Sequence, residues 1–231
     1  MPESHSNNIR IEKFLSEQGI MSRREAQALI KKGDIMLNGK RVRETGIKID
    51  PLVDKISIAH QGTVKLKAKE TVAVYKPRGV ISSKDTDSVA TIFDTFPQFR
   101  HLNTVGRLDK ESEGLILLSN DGMVTKKVTG KEHVTEKEYI VEVRENIMPA
   151  MMTRMSKGIK LNDGWTKPAI AEKIDKHIFR IVLTEGKKHQ IRRMADACRL
   201  TIKSLKRIRV GNIELGGMYA GQWKKVGRKD I

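Results

Sequence analysis

"VGRLDKESEGLILLSNDG", residues 105–122, is the stretch on which the reading of this chain turns. Arg107, Asp109 and Lys110 stand just ahead of an uninterrupted apolar run at residues 115–118. A short apolar run bounded by turn-forming residues predicts a strand. Gly106 and Gly114 permit backbone angles that other residues avoid, which suits a shaped loop entering that strand. Such a loop can hold one carboxylate at the edge of a cleft. It can equally be a loop in which Asp109 only caps a turn, and spacing alone leaves both readings open.

Outward from this segment, further strand-like runs cover residues 72–75, 139–143, 170–174 and 179–183, with helices predicted over 89–93, 149–157 and 189–198. Regular alternation of strand and helix is missing, so the expected class is α+β, with a mainly antiparallel, mixed sheet in a larger second domain at residues 71–231. A polar, lysine-rich linker is expected at residues 63–70, within a mobile stretch that begins near His60. Ahead of it, residues 8–62 read as a small α+β module. Ile11, Phe14 and Leu15 recur at helical spacing, and Gly19 can end that helix. Ser22 and Glu25 form a capping-box pattern for a second helix that Gly33 stops. Residues 35–37 read as a strand, Asn38-Gly39 as a tight hairpin turn, and Val42 lies on the return strand. Ile47, Ile49, Ile56 and Ile58 alternate in short strands.

The chain has 231 residues, 38% of them hydrophobic, so it can build real cores. Only 4% are aromatic, and the cores must rest on Ile, Val, Leu and Met. The formal net charge is +17. Folding needs no such excess, and a basic globular chain usually meets a polyanion. Residues 1–62 carry 11 basic and 8 acidic side chains and the remainder 34 and 20, so the larger region holds most of the charge. Arg23, Arg24, Lys31, Lys32, Lys40, Arg41 and Arg43 cluster on neighbouring elements of the first module as candidate RNA contacts. No segment approaches the roughly 20 apolar residues of a membrane span, and residues 1–10 lack the apolar stretch of a signal peptide. Cys198, the single cysteine, excludes an intrachain disulfide and reads as core. His101, His133 and His177 are scattered, so no metal is expected. A cytoplasmic protein without membrane partners is expected.

Residues 10–42, "RIEKFLSEQGIMSRREAQALIKKGDIMLNGKRV", resemble the small RNA-binding module named after the fourth protein of the small ribosomal subunit. The GRLDKESEGL segment resembles the signature of the pseudouridine synthases that act on small- and large-subunit ribosomal RNA. "YKPRGVISS" (75–83), "EKEYIVEV" (136–143) and "LTEGKKHQIRRM" (183–194) match the same family in the same order. The resemblance implies the pseudouridine synthase fold and site-specific isomerisation of a uridine in structured RNA by a base-flipping, cofactor-free route. Ribosomal RNA is the implied partner, transfer RNA the second choice, and a monomer the simplest state.

It also implies roles. Asp109 is the essential carboxylate. Arg192 is the cation that keeps it ionised, Tyr139 stacks on the target base, Arg107 fills the gap left in the RNA stack, and Leu205 floors the pocket. Breaking a glycosidic bond builds positive charge on the sugar, which a carboxylate stabilises or adds to; an isomerase must also exclude water. Whether Asp109 adds to the sugar or removes a sugar proton is open at this level. Residues 183–210 hold 9 Lys and Arg against 2 acidic residues. Lys110, Lys187, Lys188, His189, Gln190, Arg193, Lys203, Lys206, Arg207 and Arg209 are therefore candidate RNA contacts. The competing reading is a non-catalytic RNA-binding assembly factor or chaperone, for which Asp109 would matter little.

Overall fold

The computed structural model describes residues 8–18, 20–59, 69–84, 89–130, 134–227 and 230. Gly19, His133 and most of the expected linker lie outside them. The chain divides into two compact units, one of Met1–Lys69 with Asn120–Met123, the other of Glu70–Ser119 and Val124–Ile231.

The first unit runs β1 (Ile9–Arg10), α1 (Ile11–Glu17), α2 (Arg23–Lys32), β2 (Ile35–Leu37), β3 (Lys40–Val42), β4 (Lys48–Ile49) and β5 (Ile56–Ile58). Local chemistry sets its boundaries. Ser22 Oγ accepts from the Glu25 amide while the Glu25 carboxylate accepts from the Ser22 amide, at 3.2 and 2.8 Å, and the two together start α2. Gly33 ends it in the left-handed conformation. Asn38 and Gly39 both have positive φ, as a two-residue hairpin turn between β2 and β3 requires. The Asn38 side chain then ties the turn to Asp54 and to the Lys55 amide. Ile11, Leu15, Ala26, Ile30, Ile35 and Ile49 form the buried centre.

The second unit contains β6 (Thr71–Lys76), α3 (Ile92–Thr95), β7 (Asn103–Val105), β8 (Glu113–Ser119), α4 (Gly122–Thr129), β9 (Lys137–Val143), α5 (Pro149–Lys157), β10 (Lys160–Leu161), β11 (Gly164–Trp165), β12 (Ile170–Asp175), β13 (Ile178–Leu183), α6 (Gln190–Ala197), β14 (Ile202–Val210), β15 (Ile213–Glu214) and β16 (Trp223–Lys225). Its main sheet follows the order β12-β13-β9-β14-β8-β6-β16, with β15 added on β14 and β7 on β8. Neighbours are antiparallel except β14 and β8, which touch in parallel over Lys206–Glu113 and Arg207–Gly114. This is the mixed α+β sheet that the sequence implied.

Burial explains the sequence of each half. On β6 and β8, Val72, Val74, Ile116 and Leu118 face one cluster with Phe93, Phe96 and Phe99, while Ala73, Tyr75, Leu115 and Leu117 face another with Val124 and Val128. Strands covered on both sides need no polar alternation, hence the unbroken apolar run. On β9 and β13, Val141, Val143, Phe179, Ile181 and Leu183 point into a core roofed by α5 and α6. Their other face carries an ion network. Glu138 accepts from Arg180 Nε and Arg209 Nε, each at 2.6 Å, and these pair onward with Glu172 and Glu136.

Arg180 foremost, with Arg209, holds the Glu138 carboxyl below its usual range. A depressed folded pKa contributes stability above the unfolded value, lost as pH falls through the folded one. Glu138→Gln is therefore expected to cost about 2 kcal/mol at neutral pH. In thermal melts the gap to wild type should close below about pH 4.5; a gap that persists in acid would contradict this role.

Three elements differ from the sequence reading. The helix expected over 89–93 begins instead at Ile92, because Thr91 and Asp94 form a capping box. Residues 202–210, read as a basic patch, are the nine-residue strand β14, whose register shifts twice against β9 and so breaks the period-two pattern. Residues 122–129, for which no helix was expected, form α4, with Asp121 accepting from the Met123 amide at its start.

Candidate active site

Asp109 sits on the turn between β7 and β8, and that turn is held from beneath. Lys76, the last residue of β6, has no solvent exposure. Its ammonium donates to the carbonyls of Pro77, Lys110 and Ser112 at 2.9, 3.4 and 2.6 Å. Burial pushes its pKa down to about 8, opposed by the charge of Asp109. Next along the chain, the Gly79 amide donates to the Lys110 carbonyl. Ser82 Oγ donates to the Leu108 carbonyl and accepts from its amide at 2.8 and 3.1 Å. Arg78 binds the Glu111 carboxylate and the Lys203 carbonyl. The segment 76–82 is thus a cradle for residues 108–112. The Asp109 carbonyl closes the turn by accepting from the Ser112 amide.

Gly114 fixes where the turn ends. Its φ is +101°, and a Cβ there would collide with the Arg207 carbonyl of β14. Only glycine allows β8 and β14 to approach this closely. Arg207 is itself buried and donates from Nε to the Leu115 carbonyl.

The opposite wall is the start of α6. His189 precedes the helix in the left-handed region, φ +51°, which is uncommon outside glycine. Its Nε2 lies 3.5 Å from Asp109 Oδ1, and the Asp109 side chain is 40% exposed. Arg192, expected to pair with Asp109, reaches instead the Glu111 carbonyl at 2.9 Å and Ser112 Oγ at 3.4 Å. The side chain beside the carboxylate is thus His189, while Arg192 grips the backbone of the same turn. Tyr139 packs against both the cluster that contains Leu108 and the one that contains Leu205.

The structure sorts the remaining candidates by exposure. Arg107, Lys110 and Lys188 are exposed beside the turn and the α6 entry. Gln190 is buried; it bonds the Lys187 amide and the Glu185 carboxylate, so it shapes the loop and offers nothing to RNA. Lys187 turns inward onto the carbonyls of residues 163–165, and Arg193 forms a bidentate pair with Asp163. Leu205 is buried in the α5–α6 core. Lys203 and Arg209 are paired with Glu142, Glu136 and Glu138, and Lys206 lies over the Tyr75 ring. Much of the basic run at 183–210 therefore balances acidic residues within the fold.

In the first unit Arg23, Arg24, Lys31, Lys40 and Arg41 are all exposed. Arg23 and Arg24 occupy the first turn of α2, where the helix dipole disfavours positive charge and favours an anion. Among the described residues no group of three His, Cys, Asp or Glu is placed to hold a metal. Among the described residues no helix is long and apolar enough to cross a membrane.

The roles of Lys76, Arg78 and Ser82 are not legible in the sequence. Lys76 and Ser82 act on backbone atoms 26 to 36 residues away and Arg78 on Glu111 and the distant Lys203 carbonyl, which no local pattern reveals.

Two family models match this chain: RNA pseudouridylate synthase over residues 70–197 and the S4 domain over residues 9–51. The dual-specificity RNA pseudouridine synthase RluF of Escherichia coli K12 is 35% identical over 228 residues, 97% of this chain and 76% of that protein. Ribosomal large subunit pseudouridine synthase B of Bacillus subtilis 168 is 33% identical over 229 residues, covering 94% and 91%. A solved structure described as a pseudouridylate synthase superposes with a TM-score of 0.71 at 26% identity, over 96% of this chain and 97% of that one. A carboxylate cradled on its turn, in a chain matched along both units, gives the assignment: the chain belongs to the RNA pseudouridylate synthase family and begins with an S4 domain.

Proposed function

We propose that this protein isomerises one or a few uridines of ribosomal RNA to pseudouridine, with Asp109 as the carboxylate that acts on the sugar. The observation that carries the reading is the cradle. A buried lysine, a serine and a backbone amide are all committed to orienting one turn, and that turn displays a carboxylate. A protein that only held RNA would have no use for such positioning. The relatives named for RNA and for the large ribosomal subunit favour ribosomal RNA as the substrate.

The bond between uracil nitrogen and ribose breaks, the base turns, and a ring carbon bonds the same sugar carbon. That ring carbon gives up its hydrogen and the freed nitrogen takes one up, so the composition is unchanged. Asp109 either adds to the sugar carbon or takes a ribose proton, in both cases meeting the positive charge that develops there. The target must leave its stack to reach the carboxylate. Tyr139, between the two cores, is the stacking surface for the flipped base, and Leu205 supports it from within the core. Arg107 fills the vacated place in the RNA. Arg192 stabilises the turn through its carbonyl, and His189 faces the carboxylate from α6. Because Asp109 is 40% exposed, the dry pocket is completed by the RNA itself.

The S4 unit docks RNA through Arg23, Arg24, Lys31, Lys40 and Arg41, with Lys110 and Lys188 contacting phosphate beside the site. The protein acts as a cytoplasmic monomer. Affinity should fall steeply with salt, by about tenfold or more between 50 and 200 mM for several phosphate contacts. Replacing Arg23 and Arg24 by Ser should lower affinity about tenfold and shallow the salt slope, with little loss of rate at saturating RNA. An unchanged slope would remove these residues from the interface. The function itself is tested by mapping pseudouridine in ribosomal and transfer RNA transcripts, and in ribosomal subunits, after incubation with the protein. A new site in ribosomal RNA is expected; none on any substrate would overturn the reading.

A further inference from the structure

Away from the Asp109 turn, α5 and the β10–β11 hairpin form a groove of about 680 Å³ lined by Ala150, Thr153, Arg154, Lys157, Lys160 and Trp165, together with the Gly158-Ile159 link between α5 and β10. It holds three cationic side chains and no carboxylate. The side chains of Lys157 and Lys160 are exposed and make no hydrogen bond or ion pair with the described residues. Trp165 is 65% exposed, unusual for the largest apolar side chain in a chain with only 2 Trp.

The backbone of the hairpin that carries Trp165 is tied to neighbouring elements. Lys187 Nζ donates to the carbonyls of Asp163, Gly164 and Trp165 at 3.3, 3.3 and 2.9 Å. Arg193 pairs with Asp163, which offsets the charge of that carboxylate. Thr166 is buried, its Oγ1 accepting from the Ile159 amide and its amide donating to the Ile159 carbonyl. Arg154 is anchored to the Ala197 carbonyl at the end of α6. A hairpin backbone already held in place lowers the ordering cost of binding on an aromatic side chain flanked by lysines.

We propose that this groove is a second RNA subsite, in which a phosphodiester strand lies along Lys157 and Lys160 and an unpaired base stacks on Trp165. Stacking on an aromatic plate beside a basic track is how single strands are gripped without sequence readout. One exposed indole is too little apolar surface for a stable protein interface, and the groove lacks the apolar row of a membrane-surface helix. Lys187 and Arg193 link the hairpin to the segment that bears His189, which faces Asp109. The inference rests on the proposed RNA-modifying function and names where a flanking, non-target nucleotide binds.

The test uses the full chain. In a Trp223→Phe background, Trp165 is the sole indole, and a 12-nucleotide oligouridylate should quench its emission saturably. Trp165→Ala should raise the Kd for an RNA transcript that wild type modifies by about tenfold, with the single-turnover rate at saturating RNA within about twofold. The pair Lys157→Glu with Lys160→Glu should weaken binding similarly and reduce the salt slope by at least about 1.4. Both side chains are exposed, so melting temperatures should stay near wild type. Unchanged affinity, unquenched emission, or a rate loss equal to the affinity loss would overturn the subsite, as would tight binding to phosphatidylserine vesicles that RNA does not displace. If wild type modifies RNA while the variants bind normally, only the subsite fails. If wild type neither binds nor modifies any RNA, the underlying function fails with it.

Discussion

Asp109→Asn is expected to lower pseudouridine formation by about four orders of magnitude or more while leaving RNA affinity within about threefold of wild type. Asn is nearly isosteric with Asp, and the exchange removes only the charge. Among the described residues the carboxylate approaches one side chain, His189 at 3.5 Å, and its turn is held through backbone atoms, so the exchange is expected to leave the fold intact. What the amide cannot do is add to the sugar or balance the positive charge that appears as the glycosidic bond breaks. Single-turnover assays at saturating RNA, with pseudouridine mapped on the product, measure the loss directly. Filter binding of the same transcript measures the affinity. Full activity in this variant would end the assignment of Asp109 and revive a non-catalytic assembly factor.

Lys76→Met should act differently, on stability and rate together. Met keeps the approximate length and the apolar stem but removes the donor shared by three backbone carbonyls in a site closed to water. Leaving buried acceptors unsatisfied costs about 1–3 kcal/mol each in isolation, and partial relaxation brings the expected loss to about 3 kcal/mol. The turn that displays Asp109 loses its support, and a displacement of about 1 Å can lower a positioned reaction about 100-fold. Denaturant unfolding and the single-turnover rate should therefore both fall, whereas Asp109→Asn changes only the rate. A second signature comes from protons. Burial holds the folded Lys76 near a pKa of about 8, below its ordinary 10.5. The unfolded chain then binds more protons between these values, so wild-type stability rises with pH there relative to the Met variant. The gap between the two proteins should widen from about pH 8 toward pH 10.5. A pH-independent gap, or a variant with wild-type stability and rate, would remove Lys76 from this role.

Several elements were legible because their chemistry is local. Ser22 with Glu25, Gly33, and Asn38-Gly39 each satisfy backbone groups within a few residues, and the first unit follows from them. The run at 115–118 announced a central strand because burial on both faces tolerates no polar residue. Residues 202–210 hid their strand because a register shift against β9 and long-range pairing of Lys203 and Arg209 erased the alternation. The same pairing explains why charge counting overstated the RNA surface. Arg209 balances Glu136 and Glu138, and Arg193 balances Asp163, from 30 to 73 positions away. Gln190 looked like a contact beside a basic helix, yet it is folded inward onto Glu185.

The sequence by itself determined the α+β class and, through the order of its motifs, the family, and it singled out Asp109 by resemblance as the carboxylate to test; motif order, capping patterns and apolar periodicity are properties of contiguous residues. Only the tertiary structure decided which cations remain available to RNA, that His189 rather than Arg192 faces the carboxylate, and that Lys76 and Ser82 hold its turn in place. Those outcomes depend on backbone carbonyls and carboxylates brought together from distant positions, and desolvation, which makes such contacts strong, exists only once the chain has packed.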